Sequence, residues 1–158
     1  MTFKSFSYFV LIVSTLIFSC SKSGNTKPPS TNSFTWTTGG KNYSATIDTA
    51  FLGTNILGTP FHLSAGFGTF PSGYNGRIDF HLTSFNVGTY SITPSPATVN
   101  TLRYIDDAGF ILEGISGALN ITANSNNFLS GNFSITLINP SMVASQMTGS
   151  FTDVSIRP

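Results

Sequence analysis

Ser116-Gly-Ala-Leu-Asn-Ile-Thr-Ala-Asn-Ser-Asn-Asn-Phe-Leu-Ser-Gly-Asn-Phe-Ser-Ile-Thr-Leu137 is the stretch whose reading decides the fold. Leu119 and Ile121, then Phe133, Ile135 and Leu137, fall on every second position with Asn, Ser and Thr between them. Successive side chains of an extended strand point to opposite faces, so a period of two makes one apolar and one polar face. Asn124-Ser-Asn-Asn127 lies between the two runs and reads as a reversal, because asparagine favours turn conformations. The stretch is two half-buried antiparallel strands joined by a turn.

Working outward, the same alternation recurs in Phe34-Thr-Trp-Thr-Thr38, Tyr43-Ser-Ala-Thr-Ile47, Phe61-His-Leu-Ser-Ala65 and Ile78-Asp-Phe-His-Leu82. Gly39-Gly40 joins the first two as a tight hairpin, since glycine accepts positive φ without steric cost. Pro71-Ser-Gly-Tyr-Asn-Gly76 and Asp106-Asp-Ala-Gly109 mark further reversals. Ser95 to Ile105 opens like a helix with Pro96, yet Thr98, Val99 and Thr101 are β-branched, and it reads as loop then strand. Eight to ten strands at this spacing predict an all-β domain over 34–158, an antiparallel sandwich or barrel-like fold. Phe61, Leu63, Phe80, Leu82, Leu119, Ile121, Phe133 and Ile135 are expected inside it, with the charged side chains outside.

Composition narrows the function classes. Ser, Thr and Asn make up 56 of the 158 residues, charged residues only 8%, and the net charge is +1. No basic stripe exists to neutralise a phosphate backbone, which argues against a nucleic-acid partner. One cysteine rules out an intrachain disulfide and any multi-cysteine metal cluster.

That cysteine has another reading. Lys4 precedes the apolar run Tyr8 to Phe18, about half the ~20 residues that a membrane-spanning helix needs, so residues 1–19 read as a signal peptide. Leu16-Ile17-Phe18-Ser19-Cys20 resembles the lipobox of Gram-negative lipoproteins, in which the cysteine is acylated and becomes the first residue of the mature chain. Phe18 departs from that pattern, standing where a small residue is usual. Residues 20–33 then form a polar tether, too poor in apolar side chains to build a core. The resemblance implies a membrane partner through lipid on Cys20. Ser21 is not the Asp of an inner-membrane retention signal, which points to the outer membrane. No acidic cluster of the surface-export kind follows Cys20, which favours the periplasmic face.

The wider pattern also resembles a family. Gly40-Lys-Asn-Tyr-Ser-Ala-Thr46, Gly88-Thr-Tyr90, Ser116 to Thr122, Leu129-Ser-Gly-Asn-Phe-Ser-Ile135 and Gly149-Ser-Phe151 look like small β-rich Gram-negative envelope lipoproteins of unknown function. The resemblance implies a lipobox followed by an all-β domain. It carries no catalytic residues and no cofactor.

Three sets of side chains remain as candidates for chemistry. Phe-His-Leu occurs at 61–63 and again at 80–82, and alternation places His62 and His81 on one face of neighbouring strands with Asp79 beside them. Two imidazoles and a carboxylate are suitable ligands for zinc, but two exposed or partly covered strand histidines are the better reading of the pattern, since no metalloenzyme motif accompanies them. Trp36, Tyr43, Tyr74, Tyr90 and Tyr104 are aromatic candidates for stacking on a sugar, with Trp36, Tyr74 and Tyr104 foremost. Catalysis has least support. There is no Gly-x-Ser-x-Gly elbow, and no spacing singles out a pair among the six carboxylates. The expectation is a non-catalytic structural or binding domain without cofactor or bound metal. The alternatives are a module for a glycan or small apolar ligand, and a metal-dependent enzyme.

Overall fold

The computed structural model describes residues 32–45, 47–52, 61–67, 75–94 and 100–157. It is all-β, and none of the described residues is helical. The strands are β1 (Ser33–Thr38), β2 (Lys41–Ser44), β3 (Ile47–Leu52), β4 (Phe61–Phe67), β5 (Asn75–Leu82), β6 (Gly88–Ser91), β7 (Thr101–Ile105), β8 (Ile111–Ser125), β9 (Phe128–Ile138) and β10 (Ala144–Arg157).

Three long strands, β8, β9 and β10, form two hairpins that organise the sheet. β9 pairs antiparallel with β8 on one side and β10 on the other. The far edge of β8 carries β6 and β7 end to end, and β7 leads through β5 and β4 to β3. The far edge of β10 carries β1, and beyond Ser33 its last residues take up β3 directly, Ile156 opposite Ala50 and Arg157 opposite Phe51. β2 and β3 thus act as one interrupted strand, flanking β1 first and β10 afterwards. The pairing therefore returns to its start through a short parallel seam, and the sheet curls into a barrel-like wall. Curling covers the edges that an open sheet would expose.

Local chemistry accounts for the corners. Thr38 and Lys41 pair across Gly39 and Gly40, whose φ values are +56° and +73°. Ser125 and Phe128 pair across Asn126 and Asn127, at +52° and +63°. Two successive left-handed residues twist in the same sense as the strands they join. Bulges bend the long strands. In β10 the break falls between Phe151 and Val154, with Asp153 at φ +53°, and it returns Val154 to the inner face three residues after Phe151. β8 is broken twice, after Gly114 and after Ile121.

The inner face holds a continuous core that includes Phe34, Trp36, Leu63, Ile78, Phe80, Leu119, Ile121, Phe133, Ile135, Phe151 and Val154. Its packing alternates large with absent side chains. Phe133 stands opposite Gly149, and Phe151 opposite Gly131, across the β9–β10 ladder. A Cβ on Gly149 would lie 2.3 Å from the Phe133 ring, and one on Gly131 would lie 2.5 Å from the Phe151 ring. Each phenyl fills the space that the opposing glycine leaves, as the narrow interior of a small barrel requires. Of the residues expected inside, Phe61 alone is only half-buried, packed edge-on against Phe85 at 5.0 Å.

Candidate functional site

The wall of β4, β5 and β7 carries the two histidines. His62 and His81 are direct cross-strand partners, with ring centroids 4.7 Å apart, as the repeated Phe-His-Leu implies. Burial lowers the His81 pKa from its ordinary value, and His62 beside it adds to the shift. Arg103 and Arg77 act in the same direction, while Asp79 opposes them. Asp79 faces its own partners. It accepts a hydrogen bond from Ser64 Oγ and pairs with Arg77 Nε at 2.8 Å. That pairing explains how a carboxylate expected outside is buried, because a charge removed from water needs a partner. Among the described residues no three His, Cys, Asp or Glu side chains converge on a common point.

The aromatic candidates divide. Trp36 and Tyr104 are only 2% and 1% exposed. Neither ring is open to stack on a sugar, the role for which both were candidates. Trp36 stands two residues after Phe34 and Tyr104 two after Leu102, so both share the phase of the core. Trp36 packs edge-on against Tyr104 at 6.4 Å and stacks on Tyr43 at 5.4 Å. Burial raises the Tyr104 phenol well above its ordinary pKa, so it stays protonated. Tyr43 closes this end of the barrel, donating to Asp107 Oδ2 at 3.3 Å, and Lys41 lies 3.6 Å from the same carboxylate. Tyr90 is half-buried, with its hydroxyl donated to the Asn86 carbonyl at 2.7 Å. Tyr74 and Cys20 lie outside the described residues.

The opposite wall holds an arrangement that single-strand reading did not reveal. Register aligns the outward side chains of six neighbouring strands, β2, β1, β10, β9, β8 and β6, into rows that cross them. One row runs Ser44, Thr35, Ser150, Asn132, Asn120 and Thr89. The next, two residues along, runs Asn42, Thr37, Thr148, Ser134, Ala118 and Ser91. A third, shorter row holds Gln146, Thr136 and Ser116. Apart from Ala118, every position offers a hydroxyl or a carboxamide, and none is charged.

Neighbours within the rows hold one another. Thr89 Oγ1 donates to Asn120 Oδ1 at 2.7 Å, and Asn120 Nδ2 donates to Asn132 Oδ1 at 3.1 Å. The Thr35 and Ser150 hydroxyls lie 3.4 Å apart. Thr37 Oγ1 donates to Asn42 Oδ1 at 2.7 Å, and Gln146 Nε2 donates to Thr136 Oγ1 at 2.8 Å. A hydroxyl both donates and accepts, and a carboxamide has two donors and an acceptor, so each group keeps bonding capacity beyond its neighbour. Over β2, β1 and β10 the wall dips into an open groove of about 610 Å³, whose lining includes Thr35, Thr37, Asn42, Ser44, Thr148 and Ser150. The arrangement is suited to recognising an uncharged partner through many weak hydrogen bonds.

The described residues form an all-β, barrel-like domain with an apolar inner face and, on one side, a polar, uncharged outer wall. No family model, no curated protein and no solved structure matches the chain.

Proposed function

We propose that the chain is an envelope lipoprotein of the β-rich kind it resembles, anchored in the outer membrane by acyl groups on Cys20. Its β domain is a non-catalytic binding module that works through the hydroxyl–amide wall. The observation that carries this reading is the alignment of uncharged polar side chains from six strands into adjoining rows. The rows carry no charge, in a chain that is itself only 8% charged, whereas ordinary soluble surfaces are rich in Lys and Glu. A polar tether between Cys20 and the start of β1 at Ser33 separates lipid from domain and lets the wall reach material beside the membrane. Among the described residues the inner face is aromatic and aliphatic, and the hydrogen-bonding side chains of the rows lie on the outer face.

Two measurements test the reading. Labelled fatty acid should be incorporated by the wild type and not by Cys20→Ser, because the thioether requires a thiol. Labelling of the Ser variant would overturn the anchor. Isolated envelope material should capture the wild-type protein and lose Ser150→Arg, which places a cation in the centre of the wall. Equal capture of both would overturn the binding face.

A further inference from the structure

We infer that the ligand of this wall is a neutral, extended polysaccharide laid across the strands, one sugar to each strand. The inference rests on the preceding reading of the wall as a binding face and adds the class of ligand and its direction.

Charge makes the first selection. Rows without Lys or Arg cannot neutralise phosphate, uronate or sulfate groups, so an anionic polymer has nothing to hold it. Protein interfaces centre on large apolar and aromatic side chains with Arg, and these rows contain none of them, their one apolar member being the small Ala118. What remains is a partner that presents many neutral groups able both to donate and to accept. Sugar hydroxyls do this.

Geometry makes the second. Strands lie ~4.8 Å apart in the hydrogen-bonding direction, and equivalent outward residues of one strand lie ~6.8 Å apart. An extended 1,4-linked pyranose chain advances per residue by about the strand spacing. Laid along Ser44, Thr35, Ser150, Asn132, Asn120 and Thr89, such a chain offers successive sugars to successive strands. Laid along a strand, it would fall out of step with the side chains. The groove over β2, β1 and β10 receives one end, and its rim of Asn42 and Thr148 belongs to the adjoining row.

The rows contribute no aromatic ring, and the two aromatics that line the groove, Trp36 and Tyr43, are stacked on each other, whereas stacking is what makes short sugars bind tightly. Affinity must therefore accumulate along the chain, each sugar adding the small net gain of the hydrogen bonds it makes. Binding should strengthen with each added sugar until the chain spans the six strands, and then level off.

The test uses full-length protein in detergent, run through native gels cast with neutral linear polysaccharides (mixed-linkage β-glucan, xylan, glucomannan, amylose) or with alginate. At least one neutral polymer should retard the wild type, and alginate should not. Ser150→Arg and Asn132→Arg should each weaken the retardation by about tenfold. Met142→Arg, in the exposed β9–β10 turn, adds the same charge away from the wall and should leave it unchanged. Circular dichroism confirms that each variant is folded; where an Arg variant is not, the corresponding Ala replacement takes its place and should still weaken retardation measurably. Oligosaccharides of two to six units of the binding polymer should then show affinity rising with length.

Failure to be retarded by every neutral polymer, retardation by alginate, equal retardation of the wall variants, or full affinity for a disaccharide would each overturn the inference. If the neutral gels fail while envelope capture still depends on Ser150, the wall remains a binding face for another class of ligand. If capture is also indifferent to Ser150, the reading beneath it falls as well.

Discussion

Replacing Phe133 by Ala removes the ring around which the core is organised. That ring lies 5.2 Å from Phe80 and 5.9 Å from Phe34, and it covers the bare backbone of Gly149. Gly149 is paired on both sides, to Phe133 in β9 and to Trp36 in β1, so the floor of the cavity is a main chain held by two ladders. Such a floor cannot rise to fill the space, and the loss should sit toward the upper end of the ~3–5 kcal/mol typical of Phe→Ala. For a domain of this size each kcal/mol lowers Tm by roughly 3–5 °C, so a fall of about 12–25 °C follows. Gly149→Ala alone should cost ~1–3 kcal/mol by overpacking, because its Cβ meets the ring and also lies 2.5 Å from the Thr35 carbonyl oxygen. The two changes share one space. In the double variant the new methyl enters the vacated volume, so the combined loss should fall short of the sum by at least ~0.5 kcal/mol. Urea unfolding followed by fluorescence reads this cycle directly, since Trp36 is the single tryptophan and is buried beside the same cluster. A cost below ~1.5 kcal/mol for Phe133→Ala, or strict additivity, would refute the interlocking of phenyl and glycine.

Two further outcomes follow from the same structure. Gly117 has φ +117°, and a Cβ there would lie 2.2 Å from the Ser134 carbonyl oxygen and 2.7 Å from Ile135 Cα; Gly117→Ala should cost more than ~2 kcal/mol and speed amide exchange in β8 and β9, and an unchanged Tm would contradict it. His81 is held below its ordinary pKa by burial first and by His62 next, so as pH falls the unfolded chain takes up its proton before the folded one does. The stability tied to this group is complete above the unfolded value of about 6.5 and declines as pH drops below it. Tm should decrease between about pH 7.5 and pH 5, less steeply in His81→Gln, and identical slopes would rule His81 out as the cause.

The legible part of the fold was whatever a strand reveals about itself. Leu119, Ile121, Phe133 and Ile135 alternate openly, and the Gly39-Gly40 and Asn126-Asn127 corners carry the residues that left-handed backbone favours. β10 was harder to see. Its inward slot at 149 is a glycine and the bulge at Asp153 shifts the phase, so Met147, Phe151 and Val154 do not read as one alternating set. Trp36 and Tyr104 were misplaced although the signal was present, since each stands in phase with an inward neighbour, Phe34 or Leu102. The His62–His81 pair was legible because a hairpin brings its own two strands together. The polar wall was not. Every strand shows its own Ser, Thr and Asn, but the rows exist only once β1 is known to lie beside β10 and β6 beside β8, pairings separated by long stretches of chain. Asp79 shows the complementary failure, because its burial depends on Arg77 and Ser64 turning toward it.

The wall of β2, β1, β10, β9, β8 and β6 is the proposed ligand face, and an amide-resolved NMR titration of the protein with a neutral 1,4-linked hexasaccharide tests it. Shifts should follow the cross-strand row, at Ser44, Thr35, Ser150, Asn132, Asn120 and Thr89, with the amides of His62 and His81 unmoved. Shifts confined to the histidine wall, or none at saturating sugar, would contradict it.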